Sequence, residues 1–225
     1  MYINCHSYYS LRFGTFSEVD LLKLAQENNV TTLALTDINN TSACLNFIRK
    51  AKDFNIKPVV GIDFRVGAQQ NFIGIAKNNA GFKELNSFLS HHSERKLKLP
   101  ETAPAFKDSY IIYPFEKVLK LNKTTFLDCE FIGVSVEELR KLRFSKLNTY
   151  TDKLVVLQSV TVRSQKDFNA HRLLRAIDNN ALLSKLCPTE ECKITDKMLS
   201  AEALEVAFKE FPHIIKNTHR FIRRL

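Results

Sequence analysis

Thr31-Thr32-Leu33-Ala34-Leu35-Thr36-Asp37 and, after an intervening helical stretch, Lys57-Pro58-Val59-Val60-Gly61-Ile62-Asp63-Phe64 decide the fold of this chain. Both runs are apolar, rich in β-branched residues and too short for helices. Between them Cys44, Phe47, Ile48 and Ala51 fall on one side of a helix that Thr41 or Ser42 can cap. Strand, helix and strand in quick succession form the unit from which parallel sheets are assembled.

The same alternation extends in both directions. Upstream, Tyr2 to Cys5 reads as a strand. Thr15 and Glu18 have capping-box spacing ahead of Val19, Leu21, Leu22 and Ala25, a helical face that ends near Asn28-Asn29. Downstream, residues 71–76, 110–113, 131–134 and 154–160 read as strands, with helices predicted over 81–92 and 136–142. Arg95 to Asp108, with Pro100 and Pro104, reads as an exposed loop. Beyond Val162 three amphipathic stripes follow: Ala170, Leu173, Leu174 and Ile177; Leu204, Ala207, Phe208 and Phe211; and Ile214, Ile215, Thr218, Phe221 and Ile222. The class is α/β, a mostly parallel sheet, open or closed into a barrel, with helices outside. No linker or repeat divides the chain, so a single domain over 1–225 is expected, with its core in 1–162 and closing helices in 163–225.

Composition narrows the function. With 225 residues and 44% hydrophobic content, but no window of eighteen uncharged apolar residues, a membrane span is excluded. Six glycines and six prolines exclude collagen-like and broadly disordered chains. The start carries neither a basic segment nor a long apolar one, so a secretory signal is not expected and a cytoplasmic location is. Five dispersed cysteines suit a reduced compartment, and Cys187 and Cys192 lack the second pair that a structural zinc would need. Lys and Arg exceed Asp and Glu by 33 − 24 = 9, which makes a polyanionic partner a candidate. Clusters lie at 95–98, 140–143 and 220–224. Glycine-rich nucleotide loops and serine-hydrolase elbows are missing.

The polar residues where strands run into loops carry the chemistry of βα folds. The first three strands deliver His6, Asp37 and Asp63 there. Imidazole and carboxylates converging on one mouth suit zinc or manganese and phosphoester hydrolysis. The competing reading is structural: Asp37 as a cap or turn residue, and His6 as a hydrogen-bonded core histidine.

Four segments carry a resemblance: Asn4-Cys5-His6 through Gly14, Ala34 through Asn40, Ile56 through Asp63, and Ile75 through Leu85. In order and spacing they resemble the PHP (polymerase and histidinol phosphatase) domain, in the form that opens the alpha subunit of bacterial DNA polymerase III. Leu154 to Thr161 and Asp167 to Ile177 resemble the segment that closes that domain. The resemblance implies a distorted seven-stranded β/α barrel, related to the TIM barrel, with extra C-terminal helices, and a chain that is a fragment of a longer polymerase. The end at Ile222 to Leu225, inside a helix, accords with that expectation.

Metal-competent members open with His-x-His, where this chain has Asn4 and His6. Their aspartate before the glycine is Phe13 here, and the histidine of their Thr-Asp-His is Ile38 after Thr36-Asp37. Asp63 stands two residues past Gly61, where a glutamate commonly follows the glycine. Asn71 replaces a histidine, a cysteine-bearing segment aligns near Pro114, and the closing Asp-x-His is Ser159-Val160-Thr161. The resemblance therefore implies a degenerate site at Asn4, His6, Phe13, Asp37, Ile38, Asp63, Asn71, Ser159 and Thr161, its polar members joined by hydrogen bonds. No catalytic residue, metal or cofactor is expected, with His6 and Asp63 the residual candidates for weak zinc or manganese binding. The leading expectation is a catalytically inert scaffold and docking module of a replicative polymerase, in contact with palm and thumb domains and a proofreading exonuclease subunit, and with DNA through the whole enzyme. The alternatives are a metal-dependent phosphoesterase or 3′–5′ exonuclease, and direct nucleic-acid binding through the basic surface.

Overall fold

The computed structural model describes residues 1–225. In chain order the elements are β1 (Tyr2–Cys5), α1 (Glu18–Glu27), β2 (Thr32–Leu35), α2 (Cys44–Ala51), β3 (Lys57–Val66), β4 (Gln69–Ala76), α3 (Asn79–Glu94), β5 (Ser109–Pro114), α4 (Phe115–Leu121), β6 (Glu130–Val134), α5 (Leu139–Arg143), β7 (Leu154–Val156), β8 (Ser159–Val160), α6 (Gln165–Asp178), α7 (Ala201–Ala207) and α8 (Pro212–Arg223). All eight strands join one curled sheet in the order β7-β6-β5-β4-β3-β2-β1-β8. Every pairing is parallel except those of β4, which runs antiparallel to both β3 and β5. Only Gly67 and Ala68 separate β3 from β4, too few residues for a crossover, and Gly67 takes the left-handed φ of 60° that the tight turn needs.

Residues 154–160 differ from the single strand expected. Leu154–Val156 pairs with β6, and the Leu157 N–H continues that ladder to the Val134 carbonyl at 2.8 Å. Ser159–Val160 then pairs with β1, and the His6 N–H reaches the Val160 carbonyl at 3.0 Å. The count is therefore eight strands instead of seven. One short segment has to serve both ends of the curled sheet, and it changes partner at Leu157-Gln158.

The strands are apolar on both faces because both faces are covered. Helices α1 to α5 pack on one face over Leu21, Leu22, Phe47, Leu85, Phe115, Val118 and Leu142. The other face holds a smaller cluster from seven strands, including Ile3, Ala34, Val59, Ile73, Ile112, Phe131 and Val155, closed by Phe221 and Ile222 of α8. The segment 95–108 is better anchored than an exposed loop: Leu99 is buried and Phe106 packs edge-on against Phe88.

Three local expectations are corrected. Helix α1 is capped by Ser17, which forms a capping box with Asp20, while Thr15 turns its hydroxyl to the Thr161 carbonyl. Helix α2 has no side-chain cap, because it starts at Cys44 with Ala43 in the N-cap position, past Thr41 and Ser42, and the Thr41 hydroxyl instead donates to Asn86 of α3. Most telling is α6: it buries Asp167, His171, Arg175 and Ala176 and leaves Leu173 and Ile177 exposed, the reverse of its apolar stripe. The surface it packs on is polar, so the polar side of α6 faces inward. The stripes of α7 and α8 are buried as expected at Leu204, Phe208, Phe211, Ile214, Thr218, Phe221 and Ile222. Helix α4 was not foreseen.

Thr218 joins α8 to the sheet. Its hydroxyl accepts from the Val156 N–H at 2.8 Å and donates to the Ile214 carbonyl at 2.7 Å. Thr218→Val keeps the shape but leaves that buried N–H without an acceptor, at about 1–3 kcal/mol. Urea denaturation is expected to show this loss, and Thr218→Ser is expected to recover most of it.

Candidate functional site

The polar residues singled out in the sequence gather where β1, β2 and β3 end, but the centre of the cluster is a residue the motif comparison passed over, Arg65. Parallel pairing between β2 and β3 stops at Leu35, and one further bridge joins Ile38 to Asp63. Asn39 then extends the ladder with its side chain: Nδ2 donates to the Arg65 carbonyl at 2.9 Å and Oδ1 accepts the Arg65 N–H at 3.0 Å. This fixes the backbone of Arg65 beside Asp63. Asp63 lies within β3, short of its end at Val66, and alternation along the strand puts Asp63 and Arg65 on one face.

Asp63 is fully buried. Its Oδ2 accepts from Arg65 Nε at 2.9 Å, Arg65 Nη2 at 2.7 Å, Gln70 Nε2 at 2.7 Å and His6 Nε2 at 3.0 Å. Burial by itself would raise this carboxyl's pKa, but the Arg65 charge and the bonds from His6 and Arg65 outweigh it and hold the pKa below the ordinary aspartate value. With Asp63 ionised, His6 Nε2 carries a proton toward it, and Nδ1 meets the Thr161 hydroxyl at 2.9 Å. The Arg65 guanidinium also lies 4.8 Å over the Phe13 ring, which stands edge-on to His6.

Asp37 serves a different network. Its carboxylate accepts the Ser7 N–H, the Ser7 hydroxyl and the Ser10 hydroxyl, each at 2.7 Å, and so pins the loop after β1 to the end of β2. Burial raises its pKa, and the serine bonds offset part of that. Gly14 closes the same loop so tightly that a Cβ there would stand 1.8 Å from the Ser7 carbonyl oxygen. Asn4 forms a third group, donating to Ser159 Oγ at 2.8 Å and accepting from the Thr36 hydroxyl at 2.9 Å. Asn71 is not among these residues. It donates to the Pro100 carbonyl at 3.0 Å and accepts from buried Lys117 at 3.0 Å, and Lys117 also pairs with Glu101. The strand bulge between Phe64 and Arg65 pairs Arg65 with Gln70, so Gln70 is the β4 side chain that reaches Asp63.

His171 of α6 backs the cluster. Its Nδ1 donates to the Phe13 carbonyl at 2.7 Å and its Nε2 accepts the Cys192 N–H at 2.8 Å, a neutral tautomer fixed at both nitrogens. Burial lowers its pKa to about 4. Ile38 packs with Phe13, Val162 and Cys192.

Outside the cluster opens a cavity of about 430 Å³ lined by Arg65, Gln70, Lys117, Glu138, Lys193 and Asp196, among others. The ion implied by the family resemblance does not fit the strand-end cluster behind it. Oδ2 of Asp63 already accepts from four donor atoms, and Oδ1 is one free buried acceptor. Phe13 and Ile38 cannot coordinate, and no three His, Cys, Asp or Glu side chains converge as a metal-binding group. A catalytic zinc takes at least three protein ligands.

Two outcomes follow from this geometry. Arg65→Leu strands a buried carboxylate and is expected to destabilise the protein by about 3–5 kcal/mol, with the Asp63→Leu/Arg65→Leu double variant regaining part of the loss in a denaturation double-mutant cycle. For His171, the folded pKa of about 4 lies below the ordinary 6.5, so the unfolded chain takes up the proton first. Its contribution is complete above pH 6.5 and is lost as pH falls toward 4. The stability difference between wild type and His171→Gln should therefore shift against wild type by about 2–3 kcal/mol between pH 7 and pH 4, read by urea denaturation at each pH.

A model of the PHP domain matches residues 3–165. The DNA polymerase III subunit alpha of Staphylococcus aureus strain Mu50 is 26% identical over 202 residues, 84% of this chain and 18% of that protein. Its counterpart from Ureaplasma parvum serovar 3 is 39% identical over 83 residues, 37% of this chain and 8% of that protein. The one from Borreliella burgdorferi strain B31 is 29% identical over 99 residues. The chain thus spans less than a fifth of the length of these relatives. With a curled, mostly parallel sheet, helices packed outside it and a polar cluster at its strand ends, the chain belongs to the PHP domain family.

Proposed function

We propose that this chain works as the PHP domain of a bacterial DNA polymerase III alpha-type replicase, and that its strand-end cluster holds the domain together without metal or catalysis. The observation that carries this reading is the Arg65 guanidinium on Asp63, an internal cation where a metalloenzyme would place its ion. Arg65 neutralises Asp63, while His6, Thr161 and Gln70 use their polar atoms on each other and on Asp63. With those donors committed, Asp63 Oδ1 is the free acceptor left at Asp63, fewer than the three protein ligands that a catalytic zinc takes, which supports a metal-free reading.

The curled sheet accords with a distorted barrel closed through residues 154–160, which would give the replicase a rigid body against which palm, thumb and a proofreading subunit could dock. The coverage and identity of the polymerase III alpha relatives support the replicase assignment. No helix is long and apolar enough to cross a membrane, in keeping with a DNA-replication enzyme of the cytoplasm.

One observation favours the competing phosphoesterase reading: Asp63 Oδ1 is buried with no partner. A single experiment separates the two. The 225-residue chain is loaded with zinc and manganese, dialysed at neutral pH and analysed for metal, with its melting temperature and its release of nucleotide from a DNA 3′ end measured with and without EDTA. The expected result is metal well below one equivalent, a melting temperature indifferent to EDTA and no nucleotide release. Two or more retained equivalents with EDTA-sensitive release would replace the scaffold by the phosphoesterase.

A further inference from the structure

Helix α8 presents two opposite faces. Ile214, Thr218, Phe221 and Ile222 pack inward, whereas Lys216, His219, Arg220 and Arg223, with Arg224 just past the helix at its C-cap, are exposed. None of the permanent cations among them, Lys216, Arg220, Arg223 and Arg224, lies within ion-pairing distance of a carboxylate. The cluster at 140–143 is different, because Lys141 pairs with Glu116 and Arg143 with Glu210. Favourable interaction with the helix dipole accounts for cations in the last turn, where Arg220 and Arg223 lie, but not for Lys216 before it.

The exposed face borders two adjoining cavities, about 300 and 810 Å³, which share Ile215, His219 and Arg223. Lys57 adds a further cation to their walls, and Glu205 is the one carboxylate side chain there. From Lys216 to Arg224 the helix rises about 12 Å, at 1.5 Å per residue. One strand of duplex DNA presents about three or four phosphates over that length. The face has no exposed Phe, Tyr or Trp on which unpaired bases could stack, since Phe221 is buried against Tyr110 and Phe131.

We propose that the exposed face of α8 is a sequence-independent binding surface for the phosphate backbone of duplex DNA. It stands apart from the replicase reading, because it follows from unpaired cations at fixed spacing, and it gives the basic surface a location that composition could not. Bases are not read, so affinity depends on salt and not on sequence.

The test is fluorescence anisotropy of the 225-residue chain with labelled duplexes of unrelated sequence, from 50 to 200 mM salt. Wild type is expected to bind in the range of about 10⁻⁴ to 10⁻⁶ M, with a log–log salt slope near −3.6 for four phosphate contacts. Lys216→Glu/Arg220→Glu should bind at least about tenfold more weakly at 50 mM salt and lose about 1.8 of that slope. Lys23→Glu/Lys50→Glu makes the same charge change at exposed positions on α1 and α2 and should bind like wild type. Thermal melting of both variants should match the parent, since all four side chains are exposed. Equal loss in the two double variants, tighter binding of single-stranded DNA than of duplex, equal binding of polyglutamate, or no binding at 50 mM salt would each overturn the proposal.

Discussion

A carboxylate sealed away from water must be neutralised or protonated, and in this protein the buried Asp63 is neutralised by the guanidinium two residues further along its own strand. Much of the strand-end architecture follows from that pairing. Asn39 holds the Arg65 backbone in register, Phe13 supplies a ring beneath the guanidinium, and Gln70 and His6 complete the bonds to Asp63 Oδ2. His6 in turn reaches Thr161 just beyond β8, so the pair ties together the end of β1, the middle of β3, the start of β4 and the segment that closes the sheet. A buried ion pair is a weak source of net stability, but removing one partner is severe, so the arrangement resists piecemeal change.

The loop between β1 and α1 couples to this centre through a second carboxylate. Asp37 fixes Ser7 and Ser10, the loop carries Phe13 under Arg65, and the Phe13 carbonyl receives the His171 N–H. A hydrogen-bonded path thus runs from the end of β2 through one loop to α6. It explains why α6 turns its polar side inward. His171 satisfies the Phe13 carbonyl and the Cys192 N–H, and Arg175 reaches the Glu190 carbonyl and carboxylate, groups that apolar side chains would leave unpaired.

Periodicity and length were enough to locate the strands through Val134 and the helices packed outside them except α4, because apolar runs covered on both faces leave a plain sequence signal. Local chemistry was less legible. Ser17 caps α1 because of where the preceding loop delivers the chain, and neither Thr41 nor Ser42 caps α2 because the loop delivers Ala43 to the N-cap position. Segment 154–160 looks like one strand in isolation, and only the curl of the sheet, which brings β6 and β1 to its two halves, divides it.

The sequence by itself determined the class of fold and the order of its strands along the chain through Val134, since both are properties of residue type and spacing, while only the resemblance to the PHP family implied that Asn4, Phe13 and Ile38 stand at ligand positions. It also contained the Asp63–Arg65 alternation on one strand face, a signal open to inspection once β3 is recognised. Tertiary structure alone decided that Asn71 faces Lys117 while Gln70 reaches Asp63, that Asn39 reads as a strand surrogate, and that four cations of α8 stand free where those of 140–143 are largely paired. These depend on a bulge, a turn and distant carboxylates, and a hydrogen bond or ion pair between residues far apart in the chain exists only when the fold brings their atoms within about 3 Å.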